Sequence, residues 1–290
     1  MSLDLTSEDR IAIRTFFEAR GIVPFRGPAL ERVQQVVSAF GPVLYENLSK
    51  IRRRAAFLKL ESDCLETPAI LLRDHLEKGT GGTCYSMAYS LAGLLECAGI
   101  DCYLTLNDIR GLTANHAAVV AVVDGVTWLC DPGVQFRVPA LFSPDRATTA
   151  DNGYCMVHIV PTAVAGDFNV KLAMAGVWAE TPSFVFHSKP VEESRFRKVW
   201  LQSFTGPMMN TFHIFKHYDT HTRHLLFGLR QDRIPGKPEM KDPVTLEDLP
   251  RHVREVWPEI PEGHMEAAWE ALTARGASPI LGFDACLKIE

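Results

Sequence analysis

The chain has 290 residues, 47% of them apolar and 22% charged, with a net charge of −5 and an isoelectric point near 6.1. Such a composition describes a folded globular protein of about two domains, long enough to bury a sizeable core. The acidic balance argues against nucleic acid as a partner, which calls for a basic face, and no apolar run approaches the roughly 18 residues of a membrane span.

Met1 to Arg10 carries acidic groups and no apolar h-region, so no signal peptide is expected. The seven cysteines are odd in number, scattered and without C-x-x-C spacing. They read as free thiols in a reducing compartment, which places the protein in the cytoplasm. Lys50 and Arg52-Arg53-Arg54 form a short basic run, the usual mark of a solvated helix face.

The first eighty residues read as helical. Thr6 and Asp9 resemble a capping box, Ile13, Phe16 and Phe17 supply an apolar stripe, and Gly21 stops the helix. A second helix begins at Pro28 and carries Leu30, Val33, Val36, Val37 and Phe40 to Gly41. A third is expected from about Tyr45 to Leu60. From Cys84 to Ala98 another apolar stripe runs to Gly99.

After Gly99 the period changes to that of strands. Cys102 to Leu106, His116 to Val123 and Val126 to Cys130 read as strands, the last two joined by an Asp124-Gly125 hairpin turn. Further strands are expected at Met156 to Val160, Ser183 to His187, Thr211 to Lys216 and His224 to Leu229. Pro235 to Pro238 reads as an exposed linker, Thr245 to Asp248 as a capping box, and Glu262 to Arg275 as a helix stopped by Gly276.

Gly81-Gly82-Thr83-Cys84 places a thiol at a helix start, where unpaired N–H groups and the positive dipole end favour a thiolate. The glycines allow close backbone approach to a substrate, and the same N–H groups suit a developing oxyanion. A two-residue hairpin loop sets Asp131 opposite Ala118 and His116 opposite Gly133, all on one face. His116 and Asp131 then become diagonal neighbours, about 7–8 Å apart along the backbone. A thiol, an imidazole and a carboxylate so arranged suit acyl transfer through a cysteine thioester. Cys64, Cys97, Cys102, Cys130, Cys155 and Cys286 lack such a setting.

At these residues the chain resembles the arylamine N-acetyltransferases. Gly81-Gly82-Thr83-Cys84 matches that family's nucleophile segment, His116 its histidine strand and Asp131-Pro132-Gly133 its aspartate turn. Tyr45-Glu46-Asn47-Leu48 resembles its Phe-Glu-Asn-Leu segment. The resemblance covers nearly the whole chain and implies an α+β fold. A helical bundle would span residues 1–98, an antiparallel β-barrel 99–195 and an α/β lid 196–290. It further implies Cys84 as nucleophile, His116 as base and Asp131 as its orienting group. Tyr45 would line the acceptor side, Glu46 would lie beneath the triad, and Gly82, Thr83 and Gly133 would support it. Acetyl-CoA would be the co-substrate with no metal, the acceptor a small arylamine, arylhydroxylamine or hydrazine, and the protein a monomer or homodimer.

The sequence departs from that pattern at several places. Thr80 stands where the family has arginine, and Tyr85-Ser86-Met87-Ala88 replaces its Phe-Glu-x-Asn. The aspartate turn continues as Val134-Gln135 rather than Phe-Gly. An arginine and a glutamate lost together imply a rearranged buried polar network. Three other readings stay open: an amide synthase or transglutaminase-like thiol amidase with another acyl donor, an inactive fold relative that only binds, and a metal site. For the last, Cys84, His116 and Asp131 are possible zinc ligands. His213, His217, His221 and His224 have helical spacing but lack the glutamate of H-E-x-x-H, and Tyr218-Asp219-Thr220 reads as a turn that would scatter them.

Overall fold

The computed structural model describes residues 2–57, 59–152, 154–174, 176–245, 247–261 and 263–274. The chain opens with helices α1 (Ser7–Arg20) and α2 (Ala29–Phe40), a two-residue strand β1 (Tyr45–Glu46), then α3 (Leu48–Ala56), α4 (Pro68–Lys78) and α5 (Cys84–Cys97). Thr6 and Asp9 close a capping box on α1, and Gly21 ends it with φ of 66°. Val33, Val36, Val37 and Phe40 bury the stripe of α2. Helix α5 is buried along nearly its full length, as an all-round apolar helix must be.

The helix expected from about Tyr45 begins only at Leu48. Tertiary hydrogen bonds claim the preceding backbone: Gly82 N–H donates to the Leu44 carbonyl at 3.2 Å, and Glu46 N–H donates to the Gly82 carbonyl at 3.0 Å. Asn47 extends this knot, its Nδ2 donating to the Met208 and Thr211 carbonyls and its Oδ1 accepting from His213 N–H, each at 2.8 Å.

Nine antiparallel strands follow: β2 (Asp101–Ile109), β3 (Leu112–Val123), β4 (Val126–Cys130), β5 (Ala140–Leu141), β6 (Thr148–Asp151), β7 (Met156–Pro161), β8 (Asp167–Met174), β9 (Val177–Trp178) and β10 (Phe184–His187). Their order is β5-β4-β3-β2-β10-β8-β7-β6, with β9 on β8. Thr148 Oγ1 donates to the Leu141 carbonyl at 2.7 Å, drawing the two ends of this path into a nearly closed barrel. Helix α5 packs against β2 and β3. Asp124 and Gly125 both have positive φ, 51° and 77°, the two-residue turn that fits strand twist. Pairing runs from Val123–Val126 to Val119–Cys130, the expected register, and Asp131 leaves the sheet just beyond it.

The chain ends with α6 (Glu193–Gln202), β11 (His213–His217), β12 (Thr222–Leu226), β13 (Leu229–Arg233), β14 (Met240–Pro243), α7 (Leu249–Val256) and α8 (His264–Thr273). The run expected as one strand at His224 to Leu229 is broken by Phe227 and Gly228, whose φ values of 54° and 71° make a turn. Pro235 to Pro238 is no linker, because it caps the β13–β14 hairpin. Thr245 and Asp248 do make the capping contacts before α7. Helix α8 runs inside the expected span, whose ends at Glu262, Arg275 and Gly276 lie outside the described residues. Among the described residues no helix is long and apolar enough to cross a membrane.

Strand β1 also pairs with β11, Tyr45 opposite Phe215 and Glu46 opposite Ile214. The segment before Cys84 is thereby wedged against a strand that belongs to the C-terminal sheet. A Cβ at Gly81 would sit 1.7 Å from the Leu44 carbonyl oxygen, and one at Gly82 2.3 Å from Ser86 Oγ. These glycines are required by close approach of the chain to itself. Gly81→Ala is expected to cost at least about 3 kcal/mol by forcing the two backbones apart, read as a lower urea midpoint; an unchanged midpoint would refute that steric account.

Candidate active site

Cys84 is the first residue of α5 and lies against a cavity of about 880 Å³. His116 and Gly133 line the same cavity, with Tyr45, Lys50 and His213 among its walls. Ser86 closes the first turn: its hydroxyl accepts from Thr83 N–H at 3.1 Å and donates to the Thr83 carbonyl at 3.0 Å. Thr83 also borders the cavity, whereas Gly82 lies behind it against Leu71 and Ser86.

His116 projects from β3, and its Nε2 meets Asp131 Oδ2 at 2.7 Å. Cys84 lies beside the ring and acts on its charge, so the imidazole sits between thiol and carboxylate. Phe184 packs on it edge-on at 5.0 Å. Burial by itself would push the imidazole pKa down, but the Asp131 charge and hydrogen bond, with Cys84 beside it, raise it to about 10. Asp131 is fully buried, and its Oδ1 accepts from Val134 N–H at 3.0 Å.

Gly133 has a steric reason to be glycine. A Cβ there would lie 2.8 Å from His116 Cε1, 3.0 Å from Cys84 Cβ and 3.4 Å from Asp131 Oδ1. Every side chain other than hydrogen would part the cluster. Two residues on, Gln135 takes a left-handed φ of 57°, a conformation glycine adopts without cost. Its side chain offsets that strain: Nε2 donates to the Val43 carbonyl at 2.6 Å and Oε1 accepts from His217 N–H at 2.9 Å.

Tyr45 packs on His213 at a tilt of 54°, with ring centroids 4.7 Å apart. Burial raises its phenol well above the ordinary value, and the charges of Cys84, Tyr85 and Asp131 add to the rise. Glu46 sits beneath the Gly81–Cys84 segment, where Gly81 N–H reaches its Oε1 at 3.3 Å. Ser49 donates to it twice, Oγ at 2.6 Å and N–H at 2.9 Å. His264 of α8 stands 4.0 Å from Glu46 Oε2 and 3.3 Å from Ser49 Oγ, with Arg52 at its other nitrogen at 2.6 Å. Burial would raise the Glu46 pKa, but nearby His264 and the hydrogen bonds from Ser49 outweigh it and hold the carboxyl low. The basic side chain that stands nearest this carboxylate comes from the C-terminal helix.

Lys50 is not part of a solvated face. It is 5% exposed and borders the cavity, while Arg52 alone of the basic run points outward. Ser49, Lys50, Gln135 and His264 escaped the sequence reading, since nothing in their spacing reveals which buried groups they meet. The other histidines divide between strands. His213 and His224 meet through their Nε2 atoms at 2.8 Å, His217 bonds Thr222 Oγ1 at 2.7 Å, and His221 stacks on Tyr218. Among the described residues no group of three His, Cys, Asp or Glu side chains is placed to hold a metal.

Solved structures of the same architecture exist. The arylamine N-acetyltransferase of Mycobacterium abscessus superposes with a TM-score of 0.73 at 17% identity, over 93% of this chain and 99% of its own. That of Nocardia farcinica gives 0.71 at 17% identity, over 92% and 97%. A Bacillus cereus arylamine N-acetyltransferase with a Cys-His-Glu catalytic triad gives 0.60 at 17% identity, over 86% and 97%. The fold is that of the arylamine N-acetyltransferases. No family model matches the sequence, and no curated protein is similar to it. The N-acetyltransferase fold thus persists here at an identity that transfers architecture and not activity.

The raised pKa of His116 fixes a pH dependence. The stability it contributes is complete below the unfolded value of about 6.5 and is lost as pH rises through about 10. In urea unfolding, the stability gap between wild type and Asp131→Asn is expected to narrow steadily from pH 7 to pH 10. A gap that is constant or widens over that range would show that the His116–Asp131 pair does not hold the proton.

Proposed function

We propose that the protein is an acyltransferase that moves an acetyl group from acetyl-CoA to an arylamine, arylhydroxylamine or hydrazine through a thioester on Cys84. The observation that carries this reading is the placement of His116 between Cys84 and Asp131, at a helix N-terminus and beside a cavity. His116 holds the proton while the Cys84 sulfur attacks the thioester carbonyl as a thiolate. The first N–H groups of α5 face the developing oxyanion. Collapse breaks the bond from the acyl carbon to the CoA sulfur, and His116 returns the proton to that leaving thiol. The amine then attacks the Cys84 thioester, His116 removes its proton, and the released Cys84 sulfur is reprotonated.

Asp131 holds the imidazole in the orientation and tautomer this relay needs, because its carboxylate can only accept. The apolar walls contributed by Phe215, Leu226 and Leu229 favour an aromatic acceptor. Domain 1–98 would supply the nucleophile, 99–195 the base and its carboxylate, and 196–290 the cover of the cleft.

Intact mass after mixing with acetyl-CoA and no acceptor tests the first half-reaction. One acetyl group on wild type and none on Cys84→Ala is expected, with CoA release followed in the same tube. Neither adduct nor CoA release would refute acetyl-CoA as donor. Asp131→Asn is expected to lower the acylation rate about 10³- to 10⁴-fold while the fold survives by circular dichroism; undiminished acylation would remove Asp131 from its role.

A further inference from the structure

Lys50 is a buried cation that the acyl-transfer steps above do not use. Its Nζ donates to Ser203 Oγ at 2.6 Å and lies 4.8 Å from the centre of the Phe204 ring and 5.6 Å from that of Tyr85. Lys50, Ser203 and Tyr85 border the same cavity as Cys84. Among the described residues no carboxylate comes within ion-pair distance of Nζ. The acidic groups that act on it are Cys84 first and then Glu66, itself buried. Burial first, and then the charge of Glu46, push Glu66 up to about 8, which weakens it as a counter-charge for the lysine.

A buried ammonium without a counter-charge is costly. It carries three donors, and Ser203 takes only one of them. The rings of Phe204 and Tyr85 stabilise the cation without satisfying the remaining two. Burial lowers the Lys50 pKa to about 8, with Cys84 and Glu66 holding it from falling further, so the group is still mostly charged at neutrality.

We propose that Lys50 forms an anion subsite in the cavity beside Cys84, and that the natural substrate carries a carboxylate that pairs with it there. The inference rests on the acyltransferase reading and deepens it, since the carboxylate has two possible carriers. On the acyl group it would remain in place through both half-reactions; on the acceptor it would enter only in the second.

Alkylation of Cys84 tests the subsite without any transfer reaction. Iodoacetate and iodoacetamide differ in carrying a carboxylate or a neutral amide, and peptide mapping resolves Cys84 from the other thiols. The iodoacetate-to-iodoacetamide rate ratio at Cys84 is expected to fall about tenfold in Lys50→Met and to be kept in Lys50→Arg. Should Lys50→Met not fold, Lys50→Gln takes its place against Lys50→Arg.

Two further arms locate the carboxylate. Acylation without acceptor compares succinyl-CoA with acetyl-CoA, and deacylation of the acetyl-enzyme compares 4-aminobenzoate with its methyl ester. A wild-type preference for the anionic member that Lys50→Met loses assigns the carboxylate to the acyl group in the first arm or to the acceptor in the second. Where a CoA thioester does acylate Cys84, an altered alkylation ratio with no such loss in either arm overturns Lys50 as a substrate subsite; an unaltered ratio overturns it in every case. If the alkylation ratio shifts but no CoA thioester acylates Cys84, the CoA-dependent acyltransferase reading fails and the anion subsite stands.

Discussion

The backbone of Gly82 is hydrogen-bonded on both sides by the strand that runs from Leu44 to Glu46, and the candidate site is assembled around that crossing. It sets where α5 begins, and therefore where the Cys84 sulfur lies. The same strand pairs with β11, so one short element joins the helical region to the C-terminal sheet. Gln135 repeats the arrangement from the aspartate turn, bonding Val43 on one side and His217 on the other. The thiol, the carboxylate turn and the cavity wall are thus held to one frame by buried backbone bonds, which are costly to leave unmade.

Electrostatics follow from that frame. Glu46 is buried beneath the nucleophile segment and needs compensation there. Ser49 supplies hydrogen bonds, and His264 of α8, itself held by the Arg52 guanidinium of α3, closes the site from the far side. Above the segment, His116 faces an acid on one side and a thiol on the other, so a proton on its ring is favoured despite full burial.

Much of this was legible in the residues. Hydrophobic period and caps located α1, α2 and α5, and Asp124-Gly125 fixed the register that puts His116 near Asp131, because both are local signals. Tyr45–Glu46 was misread as helix because its conformation is decided by partners at Gly82 and Phe215, far away in sequence. The Phe227–Gly228 turn was hidden inside an apolar run in which Phe227 is an unusual residue for a positive φ. Lys50 was read as solvated from its basic neighbours, although i and i+3 or i+4 positions, not adjacent ones, share a helix face. The tie from Glu46 to His264 spans the whole fold, and no local pattern announces it.

The bond from His213 to Asn47 joins residues 166 positions apart, and that separation has a consequence for how the protein is made. Long-range pairings close late, after the loop between them has been ordered. On a ribosome adding about 5–20 residues each second, Cys84 emerges many seconds before β11 exists to seat β1. During that interval the nucleophile helix can pack on its barrel while its own first turn remains without a partner strand. The wall that His213 and Phe215 give the cavity is therefore completed after the thiol, the imidazole and the carboxylate are already in the chain.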